Sequence, residues 1–132
     1  MADSIQVSRW LIIAAGILLV ATAAFHGAGY PSVSSVILAS GLDPSLVAAL
    51  RALWLMFSVH LVILAVVVIL ARRVSGGRRI VLACALIPAA DTALLLRFVG
   101  VFEGTLGLGA ATVLLVLGGL LWTRQESSRE GA

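Results

Sequence analysis

The chain contains no lysine and a single cysteine, and only 11% of its 132 residues are charged. Each scarcity excludes something. One cysteine, Cys84, can neither close an intramolecular disulfide nor form a dithiol redox pair. It lies in an apolar run and reads as a small buried hydrophobe. A soluble domain carries about 25% charged residues, so this composition cannot supply an ordinary wetted surface. There is no Gly-rich phosphate loop, nucleophile elbow or cysteine-pair motif.

What is abundant is apolar. Hydrophobic residues make up 61% of the chain and the mean hydropathy is +1.16. A soluble domain of this size cannot hide that much apolar surface, whereas a bilayer removes the need to hide it. All the basic residues are Arg, which points to a GC-rich genome, and the formal net charge is +3. These arginines are not gathered into one stripe, so they mark membrane edges, and no nucleic-acid partner is expected.

A spanning helix needs about 20 mostly apolar residues. Four runs qualify, at about 10–30, 53–71, 80–101 and 105–122. Backbone groups in lipid must pair within their own segment, so all four are helices. The expected fold is all-α: one domain over 1–132, an antiparallel up-down four-helix transmembrane bundle. Arg72, Arg73, Arg78 and Arg79 crowd the connection between runs two and three. The positive-inside rule places that loop, and with it both termini, in the cytoplasm. Arg9, Arg124 and Arg129 agree, and the segment from Pro31 to Pro44 has no basic residue.

Other local signals refine this outline. Arg9, the apolar stretch after it and Ala21-Thr22-Ala23 have the outline of a signal peptide. The leading segment has one basic residue and also Asp3, so the run is read as a retained span. Asp43-Pro44 has the form of an N-cap with proline at the first helical position. Residues 33–39 are expected to form a short helix on the membrane surface, and the polar tail after Trp122 to fray. Ala23 and Gly27, and Gly107 and Ala111, are spaced for close helix approach, within the bundle or across a dimer contact.

Ionisable groups inside a span are costly and mark candidate sites. Here they are His26, His60, Asp91 and Arg97. His60 lies roughly 13 Å deeper than Arg51, and Asp91 about 15 Å deeper than Val101. These two therefore share a depth near mid-membrane and are the candidate catalytic or proton-exchanging pair. Pro88 removes a backbone hydrogen bond next to Asp91 and is expected to kink the third helix. His26 and Arg97 form a shallower layer, roughly 6 Å below the outer surface. With Trp54, Arg51 and Glu103 at the rim, His26 and Arg97 are candidate binding residues for an anionic group.

The structural alternative stands beside this. His60 and Asp91 then simply bond two helices together, Arg97 snorkels to headgroups, and Arg51 and Trp54 anchor at the interface. His26 and His60 differ by roughly two helical turns, which disfavours a bis-histidine haem. Two histidines and one carboxylate at unequal depths are a poor tetrahedral set, so no metal or cofactor is expected.

Several of these features resemble the small bacterial four-helix membrane proteins grouped as DoxX-like. The likeness runs from about Leu50 to Trp122. It rests on Arg51-Ala-Leu-Trp54, the basic loop Arg72 to Arg79, and Pro88-Ala-Ala-Asp91 in the third helix. The resemblance implies a bacterial cytoplasmic membrane. It also allows a subunit of a quinone-linked oxidoreductase. The residues leave three functions open. The leading one is an accessory or structural membrane protein, not an enzyme, acting through itself as a homodimer or through a larger membrane complex. The others are a small proton-coupled transporter and a membrane enzyme acting on a lipid or quinone.

Overall fold

The structure is a computed structural model that describes residues 2–130, with side chains described for residues 6–122. It is all-helical among the described residues: α1 (Ala2–Ala28), α2 (Tyr30–Leu38), α3 (Pro44–Ala71), α4 (Gly77–Cys84), α5 (Leu86–Phe98) and α6 (Glu103–Glu130). These give four helical runs long and apolar enough to cross a membrane: Gln6–Leu38, Pro44–Ala71, Gly77–Phe98 and Glu103–Trp122. The chain is thus a multi-pass membrane protein.

The first, second and fourth runs extend beyond the expected apolar stretches, whereas the third begins earlier, at Gly77, and ends at Phe98, short of the expected 101, where Gly100 turns left-handed at φ 96°. Asp43 caps α3 as its sequence suggests, accepting from the Ser45 N–H, with Pro44 at the first helical position. This exposed carboxyl is held below the usual range, chiefly by its hydrogen bond to the Ser45 side chain. The short helix begins at Tyr30, not residue 33, because only Gly29 interrupts α1 and the N–H of Val33 already bonds back to Gly29. The tail continues α6 to Glu130 where fraying was expected. It is rich in Arg, Gln and Glu, which favour helix, and no Gly or Pro stops it before Gly131.

The third run is broken. Proline at 88 has no N–H for the carbonyl of Cys84, four residues back. The run divides there into α4 and α5, with Ala85 between them. The tight connection ahead of α4 needs glycine twice. Gly76 is left-handed at φ 76°, and a Cβ on Gly77 would collide with the Ala71 carbonyl.

α1 is the central helix, packed against both α6 and α3. Its core-facing residues Ile12, Ala15 and Leu19 join Leu61 and Val68 of α3 and Leu108, Ala111 and Leu115 of α6, all essentially inaccessible. Small residues make the α1–α6 seam close. A Cβ on Gly107 would lie 2.7 Å from Thr22 Oγ1, and one on Gly118 2.8 Å from Ile12. These glycines therefore serve the interior of the bundle. Ser8 adds one polar tie, donating to the Gly118 carbonyl at 2.8 Å.

Candidate functional site

The four runs do not close a ring. α5 packs on α4 and α6, and α3 on α1, α2 and α4, but no Cα of α3 comes within 8 Å of one of α5. The break below Pro88 accounts for this. α4 stays beside α3, and beyond the break α5 leans towards α6. A cleft remains between α3 and α5, with α1 and α6 as its floor.

That cleft has a volume of about 460 Å³ and an apolar, aromatic lining. Leu53, Trp54 and Phe57 line it from α3, Leu95 and Val99 from α5, and Phe25 and His26 from α1. Phe102 and Leu108 complete it beside α6. The size lies within the usual range for small-molecule sites, about 300–1,000 Å³.

His60 and Asp91 sit one helical turn beyond the cleft's lining residues, His60 past Phe57 and Asp91 before Leu95. They meet as the shared depth suggested, with His60 Nε2 3.2 Å from Asp91 Oδ2. This is the only ion pair among the described residues. It is also the bridge between two helices whose backbones stand apart. The side chains remain 35% and 20% exposed, so the pair is reachable from its surroundings. Chemically it is one hydrogen bond with two formal arrangements: imidazole N–H to carboxylate, or carboxyl O–H to bare imidazole nitrogen. Either can pass a proton to a third group.

His26 and Trp54 form a second constellation. Their rings stack at 4.0 Å between centroids with an interplanar angle of 17°. His26 Nε2 lies 3.1 Å from the Trp54 backbone carbonyl, which can only accept, so this nitrogen carries the proton. Trp54 Nε1 donates to the His26 carbonyl at 3.0 Å. Trp54 is therefore a helix-to-helix clasp, beyond the interfacial anchor its position suggested. Phe57 stands between the histidines, 4.7 Å from the His26 ring and 5.0 Å from the His60 ring.

Arg97 does not join His26. It is exposed, lies over Phe98 at 5.4 Å and does not line the cleft. The anion-holding pair of His26 and Arg97 is thus not formed, because the α5 face that carries Leu95 and Val99 turns Arg97 outward. Arg51 lies over the Tyr30 ring at 5.9 Å and is half-buried. Residue counting along the chain does not reveal the aromatic walls, since Phe25 and Phe57 look like ordinary apolar span residues and Phe102 lies in the short connection between the last two runs. Their convergence needs the gap between α3 and α5, and the only sequence signal for that gap is Pro88.

Fold and site together define a multi-pass α-helical membrane protein with a side-opening apolar cleft. No protein-family model, curated protein or solved structure matches the chain.

Proposed function

We propose that the chain is an accessory membrane protein whose working part is the α3–α5 cleft, and that this cleft holds the apolar chain of a lipid- or quinone-like molecule. The observation that carries the reading is the missing contact between α3 and α5 above the His60–Asp91 bridge. An apolar, aromatic cavity between spanning helices favours a hydrophobic guest taken sideways from the bilayer. A polar headgroup pulled to the deep end of the cleft would meet the one pair in the spans able to exchange a proton. This keeps proton-coupled transport and acid–base chemistry on a quinone as extensions of the same site. The resemblance to DoxX-like proteins supports the quinone-like guest.

The proposed placement is an antiparallel up-down bundle in a bacterial cytoplasmic membrane, with both termini and the Arg72–Arg79 loop inside. Contacts of Ser8 with Gly118 and of Thr22 with Gly107 support opposite directions for α1 and α6. The cleft then lies in the outer half of the membrane.

A purely structural role for the pair has its own support, because His60–Asp91 is the cross-cleft link. Native mass spectrometry from lipid nanodiscs separates the readings. Wild type should retain a discrete hydrophobic molecule, and Val99→Trp, which fills the cleft, should lose it. Asp91→Asn should weaken retention only if the headgroup reaches the pair. Bulk lipid alone on both wild type and Val99→Trp would end the ligand-binding reading and leave the pair as a strut.

A further inference from the structure

A second cavity lies at the opposite end of the bundle, away from the cleft. It has a volume of about 390 Å³ and is lined by Ser8, Arg9, Ile12, Ile69, Arg72, Arg73 and Trp122. Three of its seven residues are arginines from two different helix ends. Ser8 is already committed to the Gly118 carbonyl. The Arg72 Nε is buried and has no hydrogen-bond partner among the described residues. The Arg72 guanidinium is pushed below its ordinary value, first by burial and then by the charges of Arg9 and Arg73. Arg9 and Arg73 are exposed and Arg72 is half-buried, so three like charges gather round one open cavity, and among the described residues no carboxylate pairs with them. Their mutual repulsion, and the one buried Nε without a partner, both favour an anion in the cavity.

We infer that the Arg9–Arg72–Arg73 cavity binds the phosphate of an anionic phospholipid headgroup. Guanidinium forks match phosphate oxygens in pairs, which suits three arginines facing one pocket. The depth is also right. Arg72 and Arg73 directly follow the run ending at Ala71, Trp122 ends the run from Glu103, and Arg9 lies near the start of the first. Phosphates of the bilayer lie at that level, next to span ends. Ile12, Ile69 and Trp122 give the cavity an apolar wall against which the glycerol and first methylenes can rest. Basic pockets between spanning helices at a membrane face are a general means of holding such headgroups. A free phosphate ion would use the arginines but not the apolar wall.

The test uses the full chain in nanodiscs made from phosphatidylcholine with a minor fraction of phosphatidylglycerol. Retained lipid is read by native mass spectrometry. Wild type should enrich phosphatidylglycerol over its bulk fraction. Arg72→Gln and Arg9→Gln should each reduce that enrichment by about five-fold. Arg79→Gln removes the same charge from the first turn of α4, at the same end of the bundle but outside the cavity, and should leave the enrichment unchanged. Circular dichroism on each variant checks folding. Should Arg72→Gln fail to fold, the exposed Arg9 carries the comparison. Equal loss in Arg79→Gln would overturn the site in favour of diffuse charge, and so would an absence of enrichment in wild type. Inorganic phosphate is the second arm. Arg72-dependent binding of phosphate in neutral detergent, with no enrichment of phosphatidylglycerol, would overturn the lipid assignment and identify a soluble anion instead.

Discussion

His26 and Trp54 hold each other through two hydrogen bonds of opposite sense, each ring donating to the other residue's backbone carbonyl. The stacked rings fix α1 against α3 where neither helix has a core of large aliphatic residues. Two N–H groups that would be costly to leave bare in hydrocarbon are satisfied by the same contact.

Trp54→Phe keeps most of the ring and removes the indole N–H. The His26 carbonyl still accepts from the Gly29 N–H, so no acceptor is stranded. The expected loss is about 1 kcal/mol for the hydrogen bond. Thermal unfolding in detergent, followed by circular dichroism, measures it. A melting temperature equal to that of wild type would mean that the clasp adds nothing to ring packing.

The His60–Asp91 link should show coupling in a double-mutant cycle. His60→Leu and Asp91→Leu, neither able to hydrogen-bond, are each made alone and then together, with unfolding as the readout. Residues in direct contact of this kind couple by about 0.5–3 kcal/mol. Strict additivity would show that the contact contributes no coupling energy between α3 and α5.

Pro88→Ala returns an N–H to the position facing the Cys84 carbonyl. The α4–α5 break should heal, and α5 should swing back towards α3. The substitution is expected to be neutral or stabilising, since proline inside a helix costs about 3 kcal/mol relative to alanine. The cleft should narrow at the same time. Spin labels at Leu53→Cys and Leu96→Cys in a Cys84→Ser background report the α3–α5 distance, and an unchanged distance would show that the break has another origin.

Orientation is testable with single cysteines in the same background. Ser40→Cys and Ser75→Cys lie in the connections at opposite ends of α3. A membrane-impermeant maleimide added to spheroplasts should label the first and spare the second, as expected when the Arg-rich loop is inside. The reverse pattern would turn the whole bundle over.

Much of the fold was legible because lipid simplifies the code. Length and hydropathy locate spans, and Asp43-Pro44 marked the start of α3 to the residue. His60 and Asp91 were paired by counting turns, since a helix converts sequence separation directly into depth. Rotation about the helix axis is what counting cannot give. It hid the turn of Arg97 away from His26 and the convergence of Phe25, Phe57 and Phe102. It also hid the meeting of Arg9 with Arg72 and Arg73, which sequence presents only as a charge bias. The spacing of Gly107 and Ala111 signals a close approach, and the structure supplies the partner, Thr22 against Gly107, and adds a second, Ile12 against Gly118.

The open seam between α3 and α5 makes the bilayer a building material. Three sides of the bundle are closed by protein, and the fourth, between α3 and α5, is open to whatever apolar molecule lies beside it. The width of that side is therefore governed by lateral pressure in the lipid and by one polar strut, not by interlocking side chains. Thin or loosely packed membranes, and detergent micelles above all, are expected to change the shape of this molecule along a direction that its own core does not hold.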